Sequence, residues 1–344
     1  MTSKTVPKFT YVVYSPGWVH WSAGIKVLHY LCHALNNQGF SCYLALHGPR
    51  QSSDFNESLN TPILSREVLE NLSKETCRIV AIYPESIKGN PLNAPYVVHW
   101  ILNFPQLLAG ETSFGDDCVL AYSKTLSRAV CSVLDIEAQV CFIPAIKIEE
   151  IDHLKSEISG TSPKTEFELI YAQKYRALGG TSVMTLPNCR EIERFGPNAT
   201  SRKETLEMLR DAKVLHVYEN STIITEACLL GTPVVCHENE FFHELIASEE
   251  LDFTGISWDS KDIQIPDVDF NRQALIAAEV QVPDNIQSIF EQLELNLKKK
   301  LIKGGARIPR RGFITRHSIK RAKIILQQKG LKALVRFFFN YMKR

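Results

Sequence analysis

Short apolar runs alternate along the chain with segments whose apolar residues recur at helical spacing. Residues 9–15 and 40–46 are rich in β-branched and aromatic side chains, which predicts two buried strands. Between them, apolar side chains recur every three or four positions from Ile25 to Leu35, which predicts an amphipathic helix that ends at Gly39. Strands that alternate with helices in this way predict a parallel sheet.

The same alternation continues to about residue 300. Further strands are predicted at 78–83, 96–100, 118–122, 140–143, 166–172, 183–186, 214–218, 233–236 and 254–258, and further helices at 201–211, 222–230 and 284–300. The polar stretch 148–164 contains Ser-Gly-Thr-Ser-Pro and predicts a linker. The 344 residues are enough for two domains of ordinary size, so we expect α/β domains at 1–150 and 165–305, followed by a basic segment at 306–344.

The stretch 213–235 carries the clearest candidate chemistry. It predicts a strand, a polar turn at Glu219-Asn220-Ser221, a helix that stops at Gly231, and a second strand. The first N–H groups of such a helix lack intrahelical partners, and the helix dipole adds positive charge there. With Ser221 or Thr222 as its cap, this helix start predicts an anion-binding site.

Residues 219–235, ENSTIITEACLLGTPVV, resemble the donor-binding motif of GT-B glycosyltransferases, above all the large retaining family that uses nucleotide-sugars. The resemblance implies two Rossmann-like domains with parallel sheets facing across a cleft, and a C-terminal helix that crosses back. It implies that Glu226 binds the ribose hydroxyls, that Glu219 lies near the donor sugar, and that the turn with Asn220, Ser221 and Thr222 faces the diphosphate. Six residues separate the two acids here, where the family usually has seven.

Three basic residues of the second half are candidates for donor binding. In the family that the chain resembles, an Arg/Lys pair beyond the first strand of this domain neutralises the diphosphate, and Lys174 and Arg176 are the nearest candidates. Arg190 precedes the donor motif and is a candidate for contact with the base or phosphate. For all three, a solvated surface charge is the alternative interpretation.

Three residues of the first half are candidates for the acceptor side. YVVHWILNFPQLLAG at 96–110 resembles a stretch of some bacterial polysaccharide glycosyltransferases, which implies that His99 and Asn103 lie near the cleft. For His99 the alternative is a hydrogen-bonded histidine within a buried strand. His20 lies in the predicted loop after the first strand, and the resemblance to GT-B enzymes implies that this loop faces the acceptor. An inverting enzyme would need a base in this domain, and His20 and His99 are the candidates. A retaining enzyme, as the resemblance implies, would instead use the leaving phosphate oxygen.

Composition is that of a globular protein, with 44% apolar and 22% charged residues. Nine cysteines without a C-x-x-C pair favour reduced thiols in the cytoplasm. We find no signal-peptide pattern and no apolar run long enough for a membrane span. We expect no metal ion and no cofactor besides the donor, so cationic side chains and backbone N–H groups would stabilise the departing diphosphate.

The charge is strongly asymmetric. From residue 298 to the end there are sixteen Lys and Arg and no acid, which leaves 23 basic against 38 acidic residues in the rest of the chain. An apolar stripe runs through Leu331, Leu334 and Phe338. This segment is expected to pack on the first domain as the helix that crosses back, or to hold the protein at the anionic inner face of a membrane. Both hold if residues 313–326 cross back and residues 331–344 reach the membrane, which is the interpretation that we favour. No nucleic-acid-reading motif accompanies the charge, so we expect no nucleic-acid partner.

These features predict a cytoplasmic or membrane-peripheral glycosyltransferase of hexosyltransferase type. It would move a sugar from a nucleotide-sugar to a glycan or lipid-linked acceptor, in cell-surface polysaccharide assembly. One alternative is a non-catalytic partner subunit that keeps the GT-B fold. Another is a related transferase of a non-sugar group, pyruvyl or polyol phosphate. The donor base, the sugar, the acceptor, the linkage and the oligomeric state stay open at this point.

Overall fold

The structure is a computed structural model with two α/β domains. It describes residues 9–48, 55–72, 78–108, 113–157, 165–185, 187–193, 196 and 199–302.

The first domain is built on a six-stranded parallel sheet. Its strands are β1 (Thr10–Pro16), β2 (Ser41–His47), β3 (Ile79–Pro84), β4 (Tyr96–Ile101), β5 (Cys118–Ala121) and β6 (Gln139–Val140), in the order β2-β1-β3-β4-β5-β6, with helices α1 (Ala23–Asn37), α2 (Arg66–Leu72) and α3 (Lys124–Leu134). Every residue of β3 and β4 is buried, as expected for central strands covered on both faces.

The second domain follows helix α4 (Ile148–Glu157), which forms the first part of the predicted linker. It contains a five-stranded parallel sheet. Its strands are β7 (Glu168–Tyr171), β8 (Cys189–Glu191), β9 (Leu215–Val217), β10 (Val234–Cys236) and β11 (Ile256–Ser257), in the order β11-β10-β9-β7-β8, with helices α5 (Gln173–Ala177), α6 (Arg202–Asp211), α7 (Thr222–Leu229) and α8 (Ser248–Leu251).

Helix α9 (Val268–Ile302) returns from the second domain to the first. Its Leu275 is buried beside the second domain, and its Phe290 packs edge-on against Tyr11 with ring centroids 5.1 Å apart. The sequence predicted a helix only from residue 284, because a proline removes one helical hydrogen bond. The helix nevertheless continues through Pro283, since both of its halves are packed. The crossing is therefore made by α9, whereas the segment 306–344 lies outside the described residues.

Two Rossmann-like parallel-sheet domains with a helix that crosses back are the architecture of the GT-B fold, so the predicted fold class is confirmed. One predicted strand is wrong. Residues 183–185 form an irregular segment in which the Met184 N–H donates to the Tyr218 hydroxyl at 3.0 Å, and the edge strand is β8 instead. An apolar run in this position covers the sheet without joining it.

Candidate functional site

A narrow pocket lies between the carboxyl ends of the two sheets. Its lining residues include Asn103, Leu107, Lys174, Tyr175, Glu219 and Asn220. The first two follow β4, the next two follow β7 and the last two follow β9. Ligands of parallel α/β sheets bind beyond the carboxyl ends of the strands, so this position is where a substrate site is expected.

The turn after β9 aims the start of α7 at this edge of the sheet. Of the two predicted caps, Ser221 is the N-cap, with extended backbone and its side chain accepting from the Ile223 N–H at 3.4 Å. Asn220 fixes the turn, because its side chain donates to the Glu244 carbonyl at 2.9 Å and accepts from the Ile246 N–H at 3.0 Å. The helix start at Thr222 is therefore held in place before any ligand arrives.

Lys174 and Glu219 face each other across this turn. The Lys174 ammonium donates to the Asn220 carbonyl at 2.9 Å, and the buried Glu219 carboxylate accepts from the Tyr175 N–H at 2.8 Å. Burial lowers the pKa of Lys174, and the charges of Glu219 and Glu85 oppose that shift. The pocket thus combines a partly desolvated cation with the positive end of α7, which suits a phosphate group.

Glu85 is a buried residue of the first domain that we did not single out from the sequence. It follows β3 directly, and its carboxylate accepts from the Leu102 N–H at 2.8 Å, just before Asn103. Burial raises the pKa of Glu85 to about 7, although the backbone hydrogen bond and the charge of Lys174 oppose the shift. An acid directly after an apolar strand was the available signal.

Glu226 lies in a different environment from Glu219. Its carboxylate is 2% exposed and pairs with the Arg202 guanidinium at 2.7 Å, and Arg202 also reaches Glu150 at 3.3 Å. Glu150 in turn accepts from the Lys26 ammonium at 2.7 Å. Lys26, Glu150 and Arg202 were not predicted as site residues. They are far apart in the sequence, and no local motif indicates that they meet in the fold.

Two of the predicted donor-site cations lie outside the pocket. Arg176 is half-exposed and makes a two-pronged pair with Glu191 on β8, at 3.0 and 3.1 Å. Arg190 places its guanidinium 4.3 Å from the ring centroid of Phe167. Phe167 precedes β7, so it lies at the end of the sheet opposite the cleft, and the structure does not bring Arg190 to the pocket. Of the predicted cations, only Lys174 is there.

The two predicted histidines also differ in setting. His99 is 3% exposed within β4, with its Nε2 at 3.4 Å from Asp117 and its ring packed against Phe114. This matches the alternative of a histidine held inside a buried strand. His20 is exposed on the turn between β1 and α1, at the cleft edge of the first sheet. Neither histidine lines the pocket.

In the part of the chain that the structure describes, no group of three or more His, Cys, Asp or Glu side chains is arranged to hold a metal ion. The sequence does contain one Asp-x-Asp, Asp267-Val268-Asp269, where α9 begins. There Asp267 caps the helix by accepting from the Phe270 N–H at 3.0 Å. Its own N–H donates to Thr254, which precedes β11 and so lies at the end of the sheet away from the pocket. Across the described ranges, no helix has the length and apolar character that spanning a membrane requires.

No protein-family model matches the chain. No curated protein matches it in sequence. Among solved structures it is similar to AviGT4, a glycosyltransferase involved in avilamycin A biosynthesis, with 14% identity, a TM-score of 0.46, and coverage of 87% of this chain and 99% of that one. A glycosyltransferase from Rickettsia africae ESF-5 gives 10% identity, a TM-score of 0.44, and coverage of 86% and 100%.

The N-terminal domain of a trehalose-6-phosphate phosphatase from Candida albicans gives 10% identity, a TM-score of 0.43, and coverage of 86% and 98%. Two of these three proteins are named as glycosyltransferases and the third is a domain of a phosphatase, and each resembles the chain only at low identity. An activity therefore has to be inferred from the pocket and its residues.

Proposed function

We propose that the chain is a glycosyltransferase that takes a sugar from a nucleotide-sugar donor bound in the cleft. The observation that carries this proposal is that Lys174 and Asn220 line one pocket between the two sheets, and that Asn220 directly precedes the capped start of α7. A nucleoside diphosphate supplies the two features that such a pocket recognises, an anion and a leaving group whose charge grows in the transition state. The donor lies on the second domain and the acceptor on the first.

In this account the diphosphate binds the N–H groups at Ser221 and Thr222 and the Lys174 ammonium. The sugar C1–O bond breaks as the acceptor hydroxyl oxygen bonds to C1, and the hydroxyl proton passes to the departing phosphate oxygen. Lys174 and the backbone N–H groups stabilise the departing diphosphate. Glu219 and Asn220 line the pocket where the sugar would sit, and Glu226 binds the ribose. Diphosphate stabilisation by Lys174 and backbone groups requires no metal ion, so we propose metal-independent transfer.

The acceptor side is formed by the segment after β4. Asn103 and Leu107 present an amide and an apolar side chain to the pocket, which suits a glycan or lipid-linked acceptor hydroxyl. We place the reaction in cell-surface polysaccharide assembly on the sequence resemblance of residues 96–110. If the reaction inverts configuration, His20 is the candidate base at the cleft edge, since His99 is held by Asp117.

One observation favours a second candidate, the non-catalytic partner subunit. Glu226 is nearly inaccessible and is paired with Arg202, so in this arrangement it is not presented to a donor. Nucleotide binding without sugar transfer or donor hydrolysis would favour this candidate. A non-sugar transferase, of pyruvyl or polyol phosphate, would use the same anion-binding groups. Binding of phosphoenolpyruvate or a cytidine-linked polyol in place of nucleotide-sugars would favour it.

The test is turnover of UDP-, GDP-, ADP- and TDP-linked hexoses, followed as release of the nucleoside diphosphate with and without a chelator. The proposal expects release from one donor class, unaffected by the chelator, and its loss in Lys174→Met. Release that Lys174→Met leaves unchanged would contradict the assignment of the pocket. Binding without release would favour the non-catalytic subunit.

A further inference from the structure

Four charged side chains from four helices form a continuous chain between the two domains. Lys26 on α1 donates to Glu150 on α4 at 2.7 Å, Glu150 meets Arg202 on α6 at 3.3 Å, and Arg202 meets Glu226 on α7 at 2.7 Å. We name these four residues the interdomain charge chain. It begins in the first turn of the helix after β1 and ends in the helix that carries the predicted ribose carboxylate.

The two ends of this chain are the most deeply buried members. Lys26 is 3% exposed and Glu226 is 2% exposed, whereas Arg202 is 17% and Glu150 27% exposed. Burial lowers the pKa of Lys26, and Glu150 opposes that shift. Burial also acts to lower the pKa of Arg202, but Glu226 and Glu150 outweigh it and raise the value. Buried charges persist only when they are paired, so these contacts depend on one another.

We propose that Arg202 is the resting partner of Glu226, that the ribose of the donor displaces it, and that Glu150 then holds it. This inference rests on the proposed nucleotide-sugar function. Ribose hydroxyls cannot bond a carboxylate that is 2% exposed and covered by a guanidinium, so Arg202 has to move for Glu226 to act. Arg202 already shares its charge with Glu150, so it stays paired when it moves.

A second observation supports an exchangeable Arg202. Its Nε is buried and has no hydrogen-bond partner among the described residues, although its terminal nitrogens are paired. A buried donor without a partner is unfavourable, so this arrangement leaves one donor available for an incoming acceptor. The Arg202 guanidinium is thus held by two ion pairs, while its Nε donor makes no hydrogen bond among the described residues.

The exchange would couple donor binding to the contact between domains. When Arg202 leaves Glu226, its remaining partner is Glu150, which is anchored to Lys26 of the first domain. A ligand that shifts Arg202 toward Glu150 strengthens the contact between the domains. By linkage, a stronger contact between the domains raises the affinity for the ligand. Donor binding would thereby draw the acceptor-side domain into place.

The experiment compares two variants for which the proposal predicts opposite changes in the affinity for a nucleoside diphosphate. Arg202→Met removes the competitor of the ribose, so the dissociation constant for the preferred nucleoside diphosphate among UDP, GDP, ADP and TDP should fall about fivefold or more. Glu150→Gln removes the group that receives Arg202, so the same constant should rise about fivefold. Calorimetry measures both, and Arg272→Met, which breaks an exposed pair with Asp152, is the matched control.

The outcomes separate this inference from the function on which it rests. No binding of any of the four diphosphates by the wild type contradicts the proposed function itself. Binding by the wild type, with both variants weaker or both unchanged, overturns the inference and leaves a purely structural charge chain. Thermal melting checks that each variant is folded. If Arg202→Met does not fold, Arg202→Lys replaces it, with a smaller gain in affinity expected and no gain counting against the inference.

Discussion

Glu219 and Glu226 bracket the start of α7, yet their carboxylates face different parts of the molecule. Glu219 accepts from the Tyr175 N–H at 2.8 Å beside the pocket, whereas Glu226 pairs with Arg202 at 2.7 Å, between α7 and α6 of the second domain. Glu226 lies on the same face of α7 as Leu229, which packs with Ile146 and Leu275. One acid thus lines the pocket, and the other belongs to the ion pairs that α7 makes with α6.

The two acids belong to different parts of the strand–turn–helix unit. Glu219 precedes the N-cap Ser221 and lines the pocket, whereas Glu226 lies in the second turn of α7. The Glu226 carboxylate meets Arg202 of α6, which also reaches Glu150 of α4.

Glu226→Gln should weaken binding of the preferred nucleoside diphosphate by about tenfold or more, since hydrogen bonds to a charged group contribute about 1.5–3 kcal/mol. It should also abolish any preference for that diphosphate over its 2′-deoxy form. Calorimetry with both nucleotides measures this, and Glu204→Gln, an exposed acid on α6, is the control. A retained preference in Glu226→Gln would remove the ribose assignment.

Glu85 should make the stability of the first domain depend on pH. Its pKa is raised from 4.5 to about 7 by burial, so between these values the folded state keeps a proton that the unfolded state releases. Stability therefore falls as pH rises through this window, by at most about 3 kcal/mol. Denaturant unfolding at pH 5 and pH 8 should show this loss in the wild type and not in Glu85→Gln; equal losses in both would contradict it.

Phe290→Ala should destabilise the protein by about 3–5 kcal/mol, because it empties a site in the first-domain core. The Phe290 ring is fully buried and lies 5.1 Å from Tyr11 and 6.1 Å from Phe40, although it belongs to the helix that follows the second domain. Val280→Ala, at a side chain on the same helix that is 71% exposed, should change little. Denaturant unfolding measures both, and equal effects would contradict the crossing role of α9.

The alternation of strands and helices was sufficient to predict the central strands of both sheets, because parallel strands buried on two faces are apolar along their whole length. It did not predict the edge strand β8, which is short and partly exposed. The cap at Ser221 and the turn at Asn220 could also be predicted, since helix caps and turns depend on residues that are neighbours in the sequence. Arg202 and Glu85 were not predicted as site residues from the sequence. Arg202 meets Glu150 across 52 positions and Glu226 across 24, and only tertiary packing brings such pairs together.

The basic segment at the end of the chain lies outside the described residues, so membrane contact stays a prediction from its charge. Deleting residues 331–344 should release the protein from vesicles of anionic phospholipid, since clustered Lys and Arg bind such surfaces. Co-sedimentation with anionic and with neutral vesicles measures it. Nucleotide binding should survive the deletion. Vesicle binding that persists without the segment would contradict the prediction.

The most direct test of the proposed donor site is calorimetric titration of the wild type and of Lys174→Met with UDP, GDP, ADP and TDP. Lys213→Met is the control, because Lys213 is exposed and pairs only at the surface with Glu166. Our account predicts that one diphosphate binds the wild type and the control alike, and binds Lys174→Met at least about tenfold more weakly. Equal affinity in all three proteins, or no binding at all, would contradict a nucleotide-sugar site in this pocket.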